Sequence, residues 1–173
     1  SVEKISSPEG LGMSPKRITV STAGIAKMIK KLADDQVRFN LALSLHAADD
    51  QKRDEIMPIN EQNNLEILMD SLQYFHTNTG NKISYEYISF QNYNDSIEDA
   101  KKLAKLCANF PVKINIIEYN PIDGSEFSRS DAKKVDAFAA YLRKKGIMVT
   151  VRKSRGRDID AACGQLANKT ESL

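Results

Sequence analysis

Two cysteines in 173 residues are too few for a disulfide framework, and too few for a four-thiolate zinc or iron–sulfur site. A reducing, cytoplasmic setting is the expectation that follows. No apolar run approaches the ~20 residues of a membrane-spanning helix. No charged–apolar–small leader opens the chain. A membrane partner is therefore not expected. HExxH, GxSxG, the P-loop and GxGxxG are all missing. Those absences remove the common zinc proteases, nucleophile-elbow hydrolases, phosphate-loop enzymes and dinucleotide-binding folds. What is present is an apolar fraction of 41%, recurring in ordered blocks, with 28% charged residues. That is the composition of one folded domain rather than a disordered chain.

The net charge of +2 is unevenly distributed. Residues 143–157, RKKGIMVTVRKSRGR, hold seven basic residues and no acid, so the rest of the chain is net acidic. Two readings stand. The block is a local anion site, with RNA phosphate as one ligand, or a solvated helix end followed by a lysine-protected edge strand.

Strand and helix signals alternate along the chain. Strand-like runs occupy 16–21, 38–46, 82–90, 112–119 and 147–152. Between them lie apolar stripes at helical spacing. They are Ile25, Met28, Ile29, Leu32; then Leu65, Leu68, Met69, Leu72, Phe75; then Ile97, Ala100, Leu103, Ala104, Cys107; then Val135, Phe138, Ala139, Leu142. A charged segment, DDQKRDEI, reads as a short helix stopped by Pro58. Asn63 or Asn64 caps the next helix and Gly80 ends it. Asp95 or Ser96 caps the one after. A further short helix is expected from about 158 to 167. Five strands separated by helices, with no hairpin signal, predict an α/β fold of parallel units. A complete eight-fold barrel needs about 250 residues, so the chain is expected to form an open sheet or part of a barrel. Residues 1–15 have no core pattern and read as a lead-in loop.

In parallel β/α folds, ligands bind where strands end. Those positions are Ser21-Thr22-Ala23-Gly24, Ser44-Leu45-His46, 89–94 and Asn120-Pro121. STAG opens a helix, either as an ordinary cap or as a set of free N–H groups for an anion. His46 stands at the expected mouth, either as a hydrogen-bonded structural residue or as a site residue. His76 sits near an exposed helix end. Cys107 lies on an apolar stripe and is expected in the core. Cys163 has Arg155 and Arg157 nearby in sequence. It is either a thiol activated by that charge or an incidental small residue.

The segments ITVSTAG, LALSLHA, RDEIMPIN, INIIEYNP and, above all, VRKSRGRDIDAACGQLA resemble the RlmN/Cfr class of radical S-adenosylmethionine RNA methyltransferases. The likeness runs from about residue 10 to 168. It implies a partial (β/α) TIM-like barrel and an activity that methylates C2 of an adenosine in 23S rRNA and, in one branch, in tRNA. It implies that Cys163 carries the methyl group as an S-methylcysteine intermediate. It implies S-adenosylmethionine contacts at Ser21, Ser44, Leu45, His46 and Asn120. Arg152, Lys153 and Arg155 would lie near the cysteine loop, against RNA phosphate or cofactor carboxylate. A reducing electron donor such as flavodoxin is the implied protein partner.

One departure from the pattern is large. The class holds its 4Fe-4S cluster with CxxxCxxC, which this sequence lacks. The expectation is a carboxyl-terminal part of a longer enzyme, missing the first β/α units, with no metal site of its own. Residues 16–173 would form that part of the barrel, and 152–173 its cysteine-bearing tail. Such a chain is expected to be inactive alone and to bind S-adenosylmethionine weakly at most. Three other readings account for part of the sequence: a fragment like a glycyl-radical activase, a cluster-free α/β enzyme acting on sugar phosphates, and a non-catalytic RNA-binding α/β module.

Overall fold

Valine, isoleucine and threonine restrict χ1 and favour extended backbone; four of the five strands carry them, and the other, NLALS, is extended on a leucine-rich apolar run. The computed structural model describes residues 2–121 and 124–152. The strands are β1 (Thr19–Thr22), β2 (Asn40–Ser44), β3 (Ile83–Ser89), β4 (Val112–Glu118) and β5 (Met148–Arg152). All neighbours pair in parallel, and the spatial order β1-β2-β3-β4-β5 equals the chain order. The helices are α1 (Val2–Ser6), α2 (Ala26–Asp34), α3 (Asp50–Ile56), α4 (Leu65–Thr79), α5 (Ile97–Leu106) and α6 (Ala132–Lys144). Short 3-10 turns at Pro15–Arg17 and Pro58–Gln62 complete the set.

Side chains alternate between the two faces of a strand, and here the faces differ sharply. Leu41, Leu43, Ile83, Tyr85, Ile114 and Ile116 point to one face, where they are buried under Leu68, Leu72, Phe75, Leu103, Phe138 and Leu142 of the helices. Each fully buried leucine there contributes about 1.5–3 kcal/mol. The Tyr85 hydroxyl is satisfied inside this core by Met69 Sδ at 3.1 Å, and its ring meets Phe110 edge-on. The opposite face carries Ser21, Ala42, Ser44, Glu86, Asn115 and Arg152, and His76 is its sole contributor from a described helix. Parallel sheets are normally covered on both faces. Among the described residues, this one is covered on one.

The caps resolve as the side chains allow. Asn64 Oδ1 accepts from Ile67 N and starts α4. Asn63 serves α2 instead, accepting from Ala26 N at 2.8 Å. Ser96 and Asp99 form a reciprocal capping box on α5. Asp95 accepts from Asn92 N in the preceding turn. Gly80 takes the left-handed conformation that ends α4.

Three expectations need correction. The buried stripe of α2 is Ala26, Ile29 and Ala33, whereas Ile25 and Met28 are 44% and 48% exposed. The helix begins only at Ala26, after the turn at Gly24, and two alanines let α4 approach its inner face. Ile97 is 42% exposed, because it is the first residue of α5 and precedes the buried stripe at Ala100 and Leu103. Residues 1–15 are not all loop: α1 forms, closed by Ser6 Oγ donating to Val2 O, although it buries no residue. The helix expected near 158–167 lies outside the described residues. No described helix is long and apolar enough to cross a membrane.

Candidate active-site groove

The carboxyl ends of the strands are tied together in turn by buried polar side chains. Arg53, on α3, is fully buried. Its Nη2 donates to Ala23 O at 2.9 Å, beyond β1, and its Nε donates to Leu45 O at 3.2 Å, beyond β2. Nη1 donates to Asn60 Oδ1, and Asn60 Nδ2 in turn reaches Asp50 and Asp54. A buried guanidinium is tolerable only with its donors paired, and this network pairs them. Burial lowers its pKa, and Asp50 and Asp54 oppose that shift. Gly24 passes this network with φ +102°; a Cβ there would stand 3.1–3.2 Å from Leu43, Arg53 and Leu68.

The next junction is made by Asn94, also fully buried. Its amide donates to His46 O at 2.7 Å and to Ile88 O at 2.8 Å, and its oxygen accepts from Phe90 N. β2 and β3 are thereby locked where they open into loops. Farther along, Ser89 Oγ meets Ser130 Oγ at 2.7 Å, and an isolated bridge joins Phe90 to Arg129. Arg129 Nε donates to Tyr119 O, which ties in the end of β4.

His46 has φ +58°, the left-handed region that a non-glycine residue seldom adopts. Asn94 holds its carbonyl there, and Ile88 N–H donates to its Nδ1 at 3.2 Å. Burial, with the Arg53 charge second, lowers its pKa to about 4. The ring is therefore neutral near pH 7. With Nδ1 accepting, the proton is on Nε2, the ring's remaining polar atom.

These clamps frame a groove of about 1030 Å³ along the helix-free face. Its polar rows follow the strand register. Ser44, Glu86, Asn115 and Thr150 stand side by side on β2 to β5. Two residues farther along come His46, Ile88, Ile117 and Arg152, the last three in direct register. Lys82 and Lys113 line the opposite end. Among the described residues, no group of three or more histidine, cysteine or acidic side chains is placed to hold a metal ion.

The residues singled out from the sequence separate as follows. Ser21, Ser44, His46 and Arg152 line the groove. Leu45 faces the core and gives its carbonyl to Arg53. Asn120 is buried just beyond β4. Cys163, Lys153 and Arg155 lie outside the described residues. Cys107 packs against the core, and burial pushes its thiol up to about 12. His76 Nδ1 is 3.0 Å from Asn81 O. Arg53, Asn60 and Asn94 were missed as individuals. Their signal is an arginine or asparagine within one short polar segment after a strand. Glu86 was missed too, although the alternation of KISYEYISF places it on the polar face.

No protein-family model matches the chain. Curated proteins do. It is 54% identical over 169 residues to a protein named "Probable dual-specificity RNA methyltransferase RlmN" from Christiangramia forsetii, covering 98% of this chain and 48% of that one. A protein of the same name from Cytophaga hutchinsonii is 56% identical, with 97% and 46% covered. The "Dual-specificity RNA methyltransferase RlmN" of Nautilia profundicola is 45% identical, with 97% and 48% covered. The chain spans about half the length of the curated relatives it matches. Among solved structures, a radical SAM methyltransferase from Sphaerobacter thermophilus superposes with a TM-score of 0.88 at 36% identity, over 93% of this chain and 47% of that one. A domain of a pyruvate-formate lyase-activating enzyme from Bacteroides vulgatus shares the fold alone, with a TM-score of 0.61 at 14% identity, over 78% and 80% of the two chains. At these identities, the chain is homologous along nearly its whole length to about half of an RlmN protein.

Proposed function

We propose that this chain forms the later strands of the catalytic barrel in a radical S-adenosylmethionine RNA methyltransferase of the RlmN type. The observation that carries the reading is the face that the described residues leave uncovered. A singly wound parallel sheet, with helices on one side and a polar groove on the other, is a segment of barrel wall.

S-adenosylmethionine fits the residues present. The hydroxyls of Ser21 and Ser44 have no partner among the described residues and face the groove. His46, neutral with its proton on Nε2, offers a donor without an added charge. Ile88 and Ile117 give an apolar surface against which a flat heterocycle excludes water. Arg152 supplies a cation at the strand ends, suited to a carboxylate or an RNA phosphate. When bound, the cofactor supplies a methyl group and, by reductive cleavage, a radical able to abstract hydrogen.

A 4Fe-4S cluster does not fit this chain. Its two cysteines, Cys107 and Cys163, are separated in sequence, and Cys107 is buried with a raised pKa. The cluster, which that reductive cleavage requires, is assigned to another part of a longer protein. Under this reading, Cys163 carries the methyl group, with Lys153 and Arg155 beside it in sequence. The product is a C2-methyl adenine in 23S rRNA or tRNA, and a flavodoxin-like protein donates the electrons.

The test is Cys163→Ala in the complete protein. Adenine methylation is expected to vanish while iron content and the cluster's visible absorbance are kept. Methylation that persists in this variant overturns the role given to Cys163.

A further inference from the structure

Among the described residues, Glu86 is the sole acidic side chain lining the groove. It sits at the accepting end of a polarised chain of hydrogen bonds. Thr150 Oγ1 donates to Asn115 Oδ1 at 2.6 Å, and Asn115 Nδ2 donates to Glu86 Oε1 at 2.6 Å. Ser84 Oγ adds a bond to the same oxygen at 3.2 Å. The chain runs across three strands in register and ends on the carboxylate. It fixes which way the Asn115 amide points and holds Glu86 in place. Oε2 takes none of these bonds. No basic side chain among the described residues forms an ion pair with Glu86.

An ionised carboxylate oxygen only accepts hydrogen bonds. It repels phosphate and carboxylate, and it complements hydroxyls and amines. Its register neighbour on the other side is Ser44, whose hydroxyl both donates and accepts, about 4.8 Å away across the sheet. One row farther along the same face lie Ile88 and Ile117, in register with each other. An acceptor and a hydroxyl side by side, one row from an apolar shelf, match the vicinal diol and the base of a ribonucleoside. A carboxylate holding a ribose hydroxyl is a recurring solution in nucleotide sites. A nucleotide inside an RNA strand has its 3′-oxygen esterified and its phosphate nearby, so it offers neither the free diol nor a tolerable charge.

We propose that Glu86 binds the ribose of the S-adenosylmethionine nucleoside, with Oε2 accepting from a hydroxyl and Ser44 Oγ holding its neighbour, while the adenine rests on Ile88 and Ile117. The inference deepens the cofactor reading of the groove and rests on it.

The test is ligand-observed NMR titration of this chain with S-adenosylhomocysteine, its 2′-deoxy analogue and its 3′-deoxy analogue. Binding in the millimolar range suffices. The unsubstituted chain is expected to bind the ribo form about tenfold or more tightly than at least one deoxy form, the loss of one charge-assisted bond. Glu86→Gln keeps the acceptor used by Asn115 and replaces Oε2 by a donor. Its affinity for the ribo form is expected to fall by a similar factor and its discrimination to shrink to within about twofold. An isolated structural role of Glu86 would weaken all three ligands equally, and that result overturns the proposal. Equal binding of ribo and deoxy forms by the unsubstituted chain overturns it without any variant. Absence of saturable binding by all three overturns it together with the cofactor reading, whereas equal binding leaves the cofactor reading standing.

Discussion

The backbone N–H of Ile88, on β3, donates to Nδ1 of His46, just beyond β2, at 3.2 Å. The bond crosses between two parallel strands where they open into loops, and it works only while the ring is unprotonated at Nδ1. Burial and the Arg53 charge keep it so, with a pKa of about 4 against the ordinary 6.5.

The first prediction concerns pH. Between about 6.5 and 4, the unfolded chain binds a proton at His46 that the folded chain refuses. Stability is therefore full above 6.5 and falls as pH drops through this window. The largest loss is about 3 kcal/mol for such a shift. Urea denaturation at pH 7 and pH 4.5 measures it, and His46→Asn is expected to flatten the difference.

Arg53 gives the second prediction. Arg53→Met removes the charge and leaves Asn60 Oδ1 and the carbonyls of Ala23 and Leu45 without their buried donor. A loss of about 3–5 kcal/mol is expected, as for other broken buried ionic networks. Amide exchange should accelerate first at the ends of β1 and β2, which Arg53 joins. Uniform acceleration across the sheet would argue against that local role.

Gly24→Ala is the third. The methyl would meet Leu43, Arg53 and Leu68 at 3.1–3.2 Å while the backbone keeps φ +102°. A destabilisation of about 1–3 kcal/mol is expected, read as a lower thermal midpoint. Gly80→Ala meets no atom within 4 Å. It is expected to cost about 1 kcal/mol, for backbone strain alone.

The fourth uses thiol chemistry. A thiol pushed up to about 12 holds almost no thiolate at pH 8. In Cys163→Ser, Ellman's reagent is expected to find no fast-reacting thiol in the folded chain and one after denaturation. A fast thiol in the folded variant would place Cys107 at the surface.

Strand number and parallel sense were legible because strand-like runs separated by helical stripes leave few topologies open; strand order was not, since an open sheet and part of a barrel both fit the pattern. So were the groove positions of Ser21, Ser44 and His46, which follow from where strands end. The stripe of α2 was misread because hydrophobicity favours Ile25 and Met28, whereas packing against α4 favours alanine. The clamps at Arg53 and Asn94 were hidden for a related reason. Each joins segments 30 and 48 residues apart, and no local pattern marks an arginine that will be buried. Glu86 is visible by parity alone. Its neighbours Asn115 and Thr150 become so only once the register is known.

The order of strands in space repeats their order in the chain. During synthesis each new strand therefore meets its neighbour already made, and no described strand must hold an open edge for a partner two units later. The described sheet can grow from β1 to β5 as the chain leaves the ribosome, one β/α unit at a time, with each ladder closed over 21 to 42 residues and none across two units.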